Sequence, residues 1–300
     1  MNDLMKTSRI GVIAGSGLQK LLALQRVERV TVNTPFGEPS DQVVLGELDG
    51  VPIAFLQRHG QGHRIPPSDI NVRANIAALR RVGCTQVLSL SAVGSLAEEC
   101  PPGTFVLVDQ YIDRTIRRQN TYFGPGLVGH VPFGDPVCCR MHETLGRVAV
   151  DLGLPVRRQG TYVVMEGPQF SSRAESMMHR SFGGTVIGMT GMPEPKLARE
   201  AELCYAMVAM VTDYDCWHDA HEDVTADLVG QRMELIAEHA NRLVAAAARE
   251  IAGHHGPCSA GCSTALDRAI MTAASQRDPA MLERLAFVAP RIFSQSGDSQ

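Results

Sequence analysis

The 300-residue sequence contains no stretch approaching the roughly 18 consecutive apolar residues of a membrane span. The charged segment Met1 to Arg9 is not followed by a long apolar run. The chain is therefore expected to be cytoplasmic, with no membrane partner. It also lacks any block of clustered Lys and Arg, and its formal net charge is −4. Binding to phosphate backbones demands such clusters, so nucleic acid is excluded as a partner. Eight cysteines are scattered along the chain. In a cytoplasmic protein of this size most read as small buried hydrophobes, so neither a disulfide framework nor a metal site is expected. No internal repeat is visible, and at 44% hydrophobic the chain can bury a substantial core.

What is present reads as alternating strands and helices. Short apolar runs bounded by Gly, Pro or polar residues predict strands at Arg9 to Ala14, Val51 to Gln57, Gln86 to Leu90, Thr104 to Asp109 and Met207 to Val211. Ile70 to Arg80, with Val72, Ile76 and Leu79 on one face, predicts a helix. From Thr225 to Ala252 apolar residues recur every three or four positions, a long amphipathic helix closing near Gly253. Two shorter helices are expected at Thr264 to Ala274 and Pro279 to Val288, before a frayed tail from Gln295. Alternation of this kind predicts an α/β fold with helices on the faces of a sheet. The expected division is an α/β domain over residues 1–252 and a C-terminal helical extension over 253–300 packed on it.

Three of the strands lead into groups suited to an anion. The first enters Gly11-Val-Ile-Ala-Gly-Ser-Gly17, where glycines let backbone amides approach and Ser16 adds a hydroxyl. A dinucleotide fingerprint would need another glycine at position 20, where Lys20 stands, and no Gly-Lys-Ser/Thr of a P-loop follows. The second strand runs into Arg58 and His59, and the third into Ser89-Leu-Ser-Ala-Val-Gly-Ser95. Each alone is an ordinary loop; together they suggest a phosphate site.

A further feature is Val211-Thr-Asp-Tyr-Asp-Cys-Trp217, a hydrophobic strand that ends in Asp213 and Asp215. Side chains two apart on an extended segment leave on the same side, so both carboxylates are expected to face one object. Neighbouring carboxylates in a partly dry site do not both ionise easily, and one is expected to hold a proton near neutrality. Such a pair donates one hydrogen bond and accepts another, the complement of an adenine edge with its N7 acceptor and 6-amino donor.

Taken in order, Gly160-Thr-Tyr-Val-Val-Met-Glu-Gly-Pro-Gln-Phe-Ser-Ser-Arg-Ala-Glu-Ser176, Gly188-Met-Thr-Gly-Met-Pro-Glu-Pro-Lys-Leu-Ala-Arg-Glu200 and the Asp213 segment resemble the methylthioadenosine phosphorylases, within the trimeric purine nucleoside phosphorylases. The likeness runs from about Arg9 to about Ile251. It implies a single α/β domain with a twisted, mixed central sheet flanked by helices, in the nucleoside phosphorylase manner. It also implies phosphate held by Ser16, Arg58, His59, Ser91, the amide of Ala92 and Thr190, with His63 structural. Phe170 would lie against the purine, Met189 under the ribose, and Ser171, Asp213 and Asp215 at the base. Relatives acting on 6-oxopurines resemble this chain but carry Glu at the position of Ser171 and Asn at that of Asp213. A carboxylate accepts from a 6-amino group, so adenine is expected over hypoxanthine or guanine.

Those relatives place a histidine against the 5′-hydroxyl where this chain has Val224-Thr-Ala-Asp227. Ala226 offers no donor, which implies an apolar 5′-group: methylthio first, with halogen or hydrogen also open. His130 matches a histidine lent by a neighbouring subunit, so the resemblance implies a homotrimer, with a hexamer also open. The expected reaction is phosphorolysis of 5′-methylthioadenosine with Asp213 as the acid, inorganic phosphate as co-substrate and no cofactor. Three alternatives stay open: a general purine nucleoside phosphorylase, a noncatalytic nucleoside-binding protein, and a redox or metal role built on His254, His255, Cys258 and Cys262.

Overall fold

The computed structural model describes residues 8–15, 23–218, 225–254 and 256–294. In chain order its strands and helices are β1 (Arg9–Ala14), β2 (Gln25–Val30), β3 (Val43–Leu48), β4 (Val51–Gln57), α1 (Val72–Arg81), β5 (Cys84–Ser95), β6 (Phe105–Val108) and β7 (Gln110–Asp113). They continue with α2 (Cys139–Asp151), β8 (Val156–Arg157), β9 (Thr161–Val164), α3 (Arg173–Ser181), β10 (Val186–Gly188), α4 (Glu194–Glu200), β11 (Cys204–Asp213), α5 (Ala226–Ala252), α6 (Pro279–Ala286) and α7 (Pro290–Phe293).

The strands form one mixed sheet whose main path runs β2-β3-β4-β1-β5-β10-β9-β7. It forks at β5, which pairs parallel with both β1 and β11 and, at its far end, antiparallel with β10. β4, β1, β5 and β11 all run the same way. Their carboxyl ends therefore open on one edge of the sheet, where α/β proteins bind ligands. All ten residues of β11 are buried, as expected for a strand covered on both faces.

Two apolar layers flank the sheet. One gathers Ile76 and Leu79 of α1 and Leu197 of α4. The other gathers Met141, Leu145 and Val148 of α2 with Ile236, Ala240, Leu243, Ala247 and Ile251 of α5. The three-to-four spacing read from the sequence thus becomes the buried stripe of α5, which Thr225 caps by accepting from the Leu228 amide. Asn71 caps α1 in the same way through the Ala74 amide, which is why that helix starts two residues after Ile70.

The expected helix over Thr264 to Ala274 is not formed. Leu266 and Ala269 are buried at helical spacing, yet the backbone here pairs across to another segment. The Ala269 carbonyl accepts from the His130 amide, the Met271 amide donates to Val128, and Gly129 bridges Ile270. Short 3-10 turns at Cys262–Thr264 and Ala274–Gln276 bound the stretch. The second expected helix is present as α6, with Asp278 as its cap. Leu285, Val288, Ala289 and Phe293 of this tail join the same apolar layer as α1.

Candidate active site

β4 delivers Arg58 to the carboxyl edge of the sheet. The guanidinium is 2% exposed, and Glu194 at the start of α4 meets it, Oε1 accepting from Nε at 2.6 Å. Arg58 Nη1 donates to the Leu90 carbonyl at 2.9 Å and Nη2 to Ser89 Oγ at 2.7 Å. Glu194 Oε2 accepts in turn from Ser89 Oγ at 2.7 Å and from the Tyr205 hydroxyl at 2.9 Å. Burial opposes the charge on Arg58, but the adjacent Glu194 carboxylate more than offsets it and the pKa is raised. A guanidinium has five N–H bonds. Partners among the described residues, counting a longer contact from Nη2 to Glu194 Oε2, leave one N–H on Nη1 for an anion.

His59 follows immediately. Its Nδ1 lies 2.9 Å from the Ile65 carbonyl, which can only accept, so Nδ1 carries the proton and Nε2 of the neutral ring is an acceptor. Burial, with the nearby Arg58 and His63 charges, pushes the His59 pKa down to about 4, so the ring is neutral at pH 7. His63 stacks on it with ring centroids 4.0 Å apart. Ser91 on β5 and Thr190 beyond β10 converge from different segments, their hydroxyl oxygens 2.8 Å apart, with Tyr162 3.4 Å from Ser91. Ala92 sits next to Ser91 in β5. Ser16 lies outside the described residues.

The second cluster forms where β11 ends. Asp213 is 7% and Asp215 6% exposed, and the two acids do meet. The reason differs from the expected strand alternation. β11 shifts register between Val211 and Asp213 and stops there; Asp215 then adopts a left-handed conformation, φ +52°, in a short turn. That turn folds the Asp215 amide back onto Asp213 Oδ1 at 2.8 Å. Thr212 Oγ1 donates to Asp213 Oδ2 at 2.7 Å, and Ser176 Oγ on α3 donates to Asp215 Oδ2 at 2.5 Å. The pKa values of both acids are raised, in each case chiefly by burial; for Asp213 the negative charge of Asp215 adds to the effect. Gly94 of β5 makes room for the pair, since a β-carbon there would stand 2.8 Å from Asp213 Oδ1 and 3.3 Å from Asp215 Cβ.

Ser171 is buried near this pair: its carbonyl accepts from Cys216 Sγ at 3.1 Å, next to Asp215, and its hydroxyl donates to the Met165 sulfur at 3.7 Å. Phe170 remains 44% exposed. Met189, half-buried at the end of β10, lies over Gly167, where a β-carbon would come within 2.5 Å of its sulfur. It links the clusters, because its chain neighbour Thr190 reaches Ser91. Glu166 clamps the adjoining loop by accepting from the Ile116 amide at 2.7 Å, from the Arg117 amide and from Ser68. Burial works against its charge, but these donors hold its pKa down at about 2.

Two further expected residues are exposed on the chain. Ala226 is exposed at the first turn of α5. His130 is exposed too and lines a separate cavity of about 450 Å³ with Phe123, Phe133, Lys196 and Glu200. Sequence reasoning also gave no role to Glu194, Tyr205, Thr212 and Ser176, and named Ser89 only as part of its turn. An acidic residue opening a short helix inside the 188–200 segment was the available signal for Glu194.

A profile of the phosphorylase superfamily matches residues 9–249. The chain belongs to that superfamily. It is 50% identical to the S-methyl-5′-thioadenosine phosphorylase of Bradyrhizobium diazoefficiens over 96% of this chain and 99% of the relative. The enzyme of the same name from Rhodospirillum rubrum is 49% identical over 98% and 100%. Among solved structures, a methylthioadenosine phosphorylase from an Antarctic soil metagenomic library superposes with a TM-score of 0.87 and 44% identity, over 95% of this chain and 99% of that one. A Schistosoma mansoni methylthioadenosine phosphorylase, solved with adenine, has a TM-score of 0.83 and 35% identity over 91% and 99%. Membership makes the chain an enzyme, a pentosyltransferase with the nucleoside phosphorylase fold. Among the described residues, no helix is long and apolar enough to cross a membrane.

Proposed function

We propose that the chain catalyses phosphorolysis of 5′-methylthioadenosine, giving adenine and 5-methylthioribose 1-phosphate. The observation that carries this reading is the pairing of two unlike half-sites on one sheet edge. Arg58, Ser91 and Thr190 suit an oxyanion, and the buried Asp213–Asp215 pair suits a base that must be protonated. A phosphate oxygen attacks C1′, the C1′–N9 bond breaks, and its electron pair passes to the purine. Asp213 delivers its proton to N7 as that charge develops, a general-acid contribution usually worth about 10²–10⁴-fold. Phosphate, positioned by Arg58, His59, Ser91, the Ala92 amide and Thr190, together with Ser16, stabilises the oxocarbenium-like sugar. Asp215 accepts from the 6-amino group and Ser171 shares that edge, while Phe170 and Met189 cover the base and the ribose. No cofactor enters the reaction.

At the 5′ end Ala226 supplies no donor, so apolar substituents are accepted and 5′-halo-5′-deoxyadenosines are substrates as well. His130 completes this end from a neighbouring subunit of a homotrimer, in keeping with its exposure on this chain. The setting is purine salvage in the cytoplasm. The test is adenine release from 5′-methylthioadenosine with and without phosphate, beside inosine and a 5′-halo analogue. Phosphate-dependent cleavage of the adenine nucleosides alone supports the reading. Equal cleavage of inosine makes the chain a general purine nucleoside phosphorylase, and no cleavage of any nucleoside leaves only a binding protein. The double change Ser171→Glu with Asp213→Asn should move preference toward inosine, and an unchanged preference would refute the assignment of the base edge.

A further inference from the structure

Cys138, Cys204, Cys258 and Cys262 come from three separated parts of the chain, yet their sulfurs all lie within 4.8 Å of one another. All four are buried, at 1%, 4%, 7% and 1% exposure. Cys138 caps α2, Cys204 opens β11, and the other two follow α5 in a loop. Cysteines brought from the start of α2 and from β11 join Cys258 and Cys262; His254, weighed with them from the sequence, turns Nε2 toward Thr144 Oγ1 at 3.4 Å, and His255 lies outside the described residues.

We propose that these four thiols are a structural site for a soft, tetrahedral divalent cation, zinc above all. Zinc–thiolate bonds of about 2.3 Å in a tetrahedron put the sulfurs about 3.8 Å apart. Cys138 and Cys258 already stand at 3.6 Å, so this pair fits without movement, and the widest separations need to close by only about 1 Å. A disulfide at about 2.05 Å would draw even this pair together by about 1.5 Å.

Cys204 and Asp213 bound the same ten-residue strand, so the cluster lies about 30 Å from the carboxylate pair, at the opposite edge of the sheet. Its effect is therefore on the fold. A bound ion ties the start of α2, the start of β11 and the loop after α5 at one point, anchoring the chain that leads into the C-terminal tail.

The test uses the full-length chain, purified under reducing, metal-free conditions and titrated with cobalt(II) and then zinc. Expected are intense d–d bands and a thiolate charge-transfer band of tetrahedral four-sulfur cobalt, bleached by about one equivalent of zinc per chain. The Cys258→Ser and Cys204→Ser variants should lose affinity on the order of 100-fold, while Cys139→Ser, an exposed neighbour outside the cluster, should not. The cobalt spectrum of the unaltered chain decides the matter even if a variant fails to fold. Fully reduced protein that takes up no metal overturns the proposal. So does recovery of the protein from cells with these cysteines joined as disulfides.

Discussion

Replacing Glu194 by Gln tests how the anion side is held together. Glu194 and Arg58 are each 2% exposed, and the carboxylate receives Nε of Arg58, Ser89 Oγ and the Tyr205 hydroxyl. An amide keeps one acceptor oxygen for Nε. At the other position its NH₂ faces two hydroxyls, which rotate to accept. What the change cannot restore is the charge, so Arg58 is left buried without a counter-ion. Breaking a buried pair in this way costs about 3–5 kcal/mol. With an unfolding entropy of about 2.1 cal/mol/K per residue over the chain, that corresponds to a Tm lower by about 5–8 °C.

Inorganic phosphate should restore part of the loss, because an anion on the remaining Arg58 N–H supplies the missing charge. The measurement is thermal unfolding of both proteins at one chain concentration, with and without phosphate. A deficit below about 1 °C would mean that the ion pair is not what holds Arg58. A deficit of full size that phosphate leaves untouched would separate Arg58 from phosphate binding, and with it the anion side of the proposed reaction.

Asp213→Ala should lower kcat by about 10²–10⁴-fold, read by adenine release at saturating phosphate; normal turnover removes Asp213 from the chemistry. Burial raises the Asp213 pKa in the folded chain, so its contribution to stability is full below the unfolded value and is lost as pH rises through the folded one. Asp213→Asn should therefore be at least as stable as the parent at pH 8, and a lower Tm there would contradict the burial argument. Gly94→Ala puts a β-carbon 2.8 Å from Asp213 Oδ1 and should reduce kcat by more than about tenfold with the fold retained, as circular dichroism and turnover together would reveal. Depression of the His59 pKa from 6.5 to about 4 means that stability from its burial is present above pH 6.5 and is lost as pH falls toward 4. A bound phosphate dianion reverses that depression, so at about pH 6 the proton that monoanionic phosphate gives up on binding as the dianion should pass to His59; little net proton exchange with the buffer is expected for the parent, and His59→Gln should show net proton release as a buffer-dependent calorimetric enthalpy.

Local pattern made most elements legible. β1 and β4 match the predicted strands residue for residue, and α5 matches to within its N-cap. The helix expected over Thr264 to Ala274 shows the limit of such reading. Its apolar spacing is real, but backbone hydrogen bonds to residues 128–130, invisible from within the segment, supply what helix formation would have supplied. The acidic pair shows a subtler limit. Two carboxylates near each other in sequence were easy to notice, and they do converge, yet the register shift and the positive φ of Asp215 bring this about where plain alternation was invoked.

Partnership across the chain is the information that local pattern does not contain. Arg58 was legible as an anion donor, but its counter-ion stands 136 residues away on α4, and only the packing of α4 against the sheet brings them to 2.6 Å. Cys258 and Cys262 were legible as a pair, but Cys138 and Cys204, far off in the sequence, were unremarkable until the fold brought them to it. In both places β5 and β11 act as the common scaffold. One end of β11 collects thiols and the other collects carboxylates, while β5 supplies Ser89 and Ser91 midway along its length and Gly94 near its end. Because the two strands are parallel and β11 is buried throughout, a change that shifts their register by one residue would displace Asp213 from Gly94 and Cys204 from its partners together. The anion donors, the acid pair and the thiol cluster therefore share one structural determinant, the β5–β11 register, although no short sequence motif contains them all.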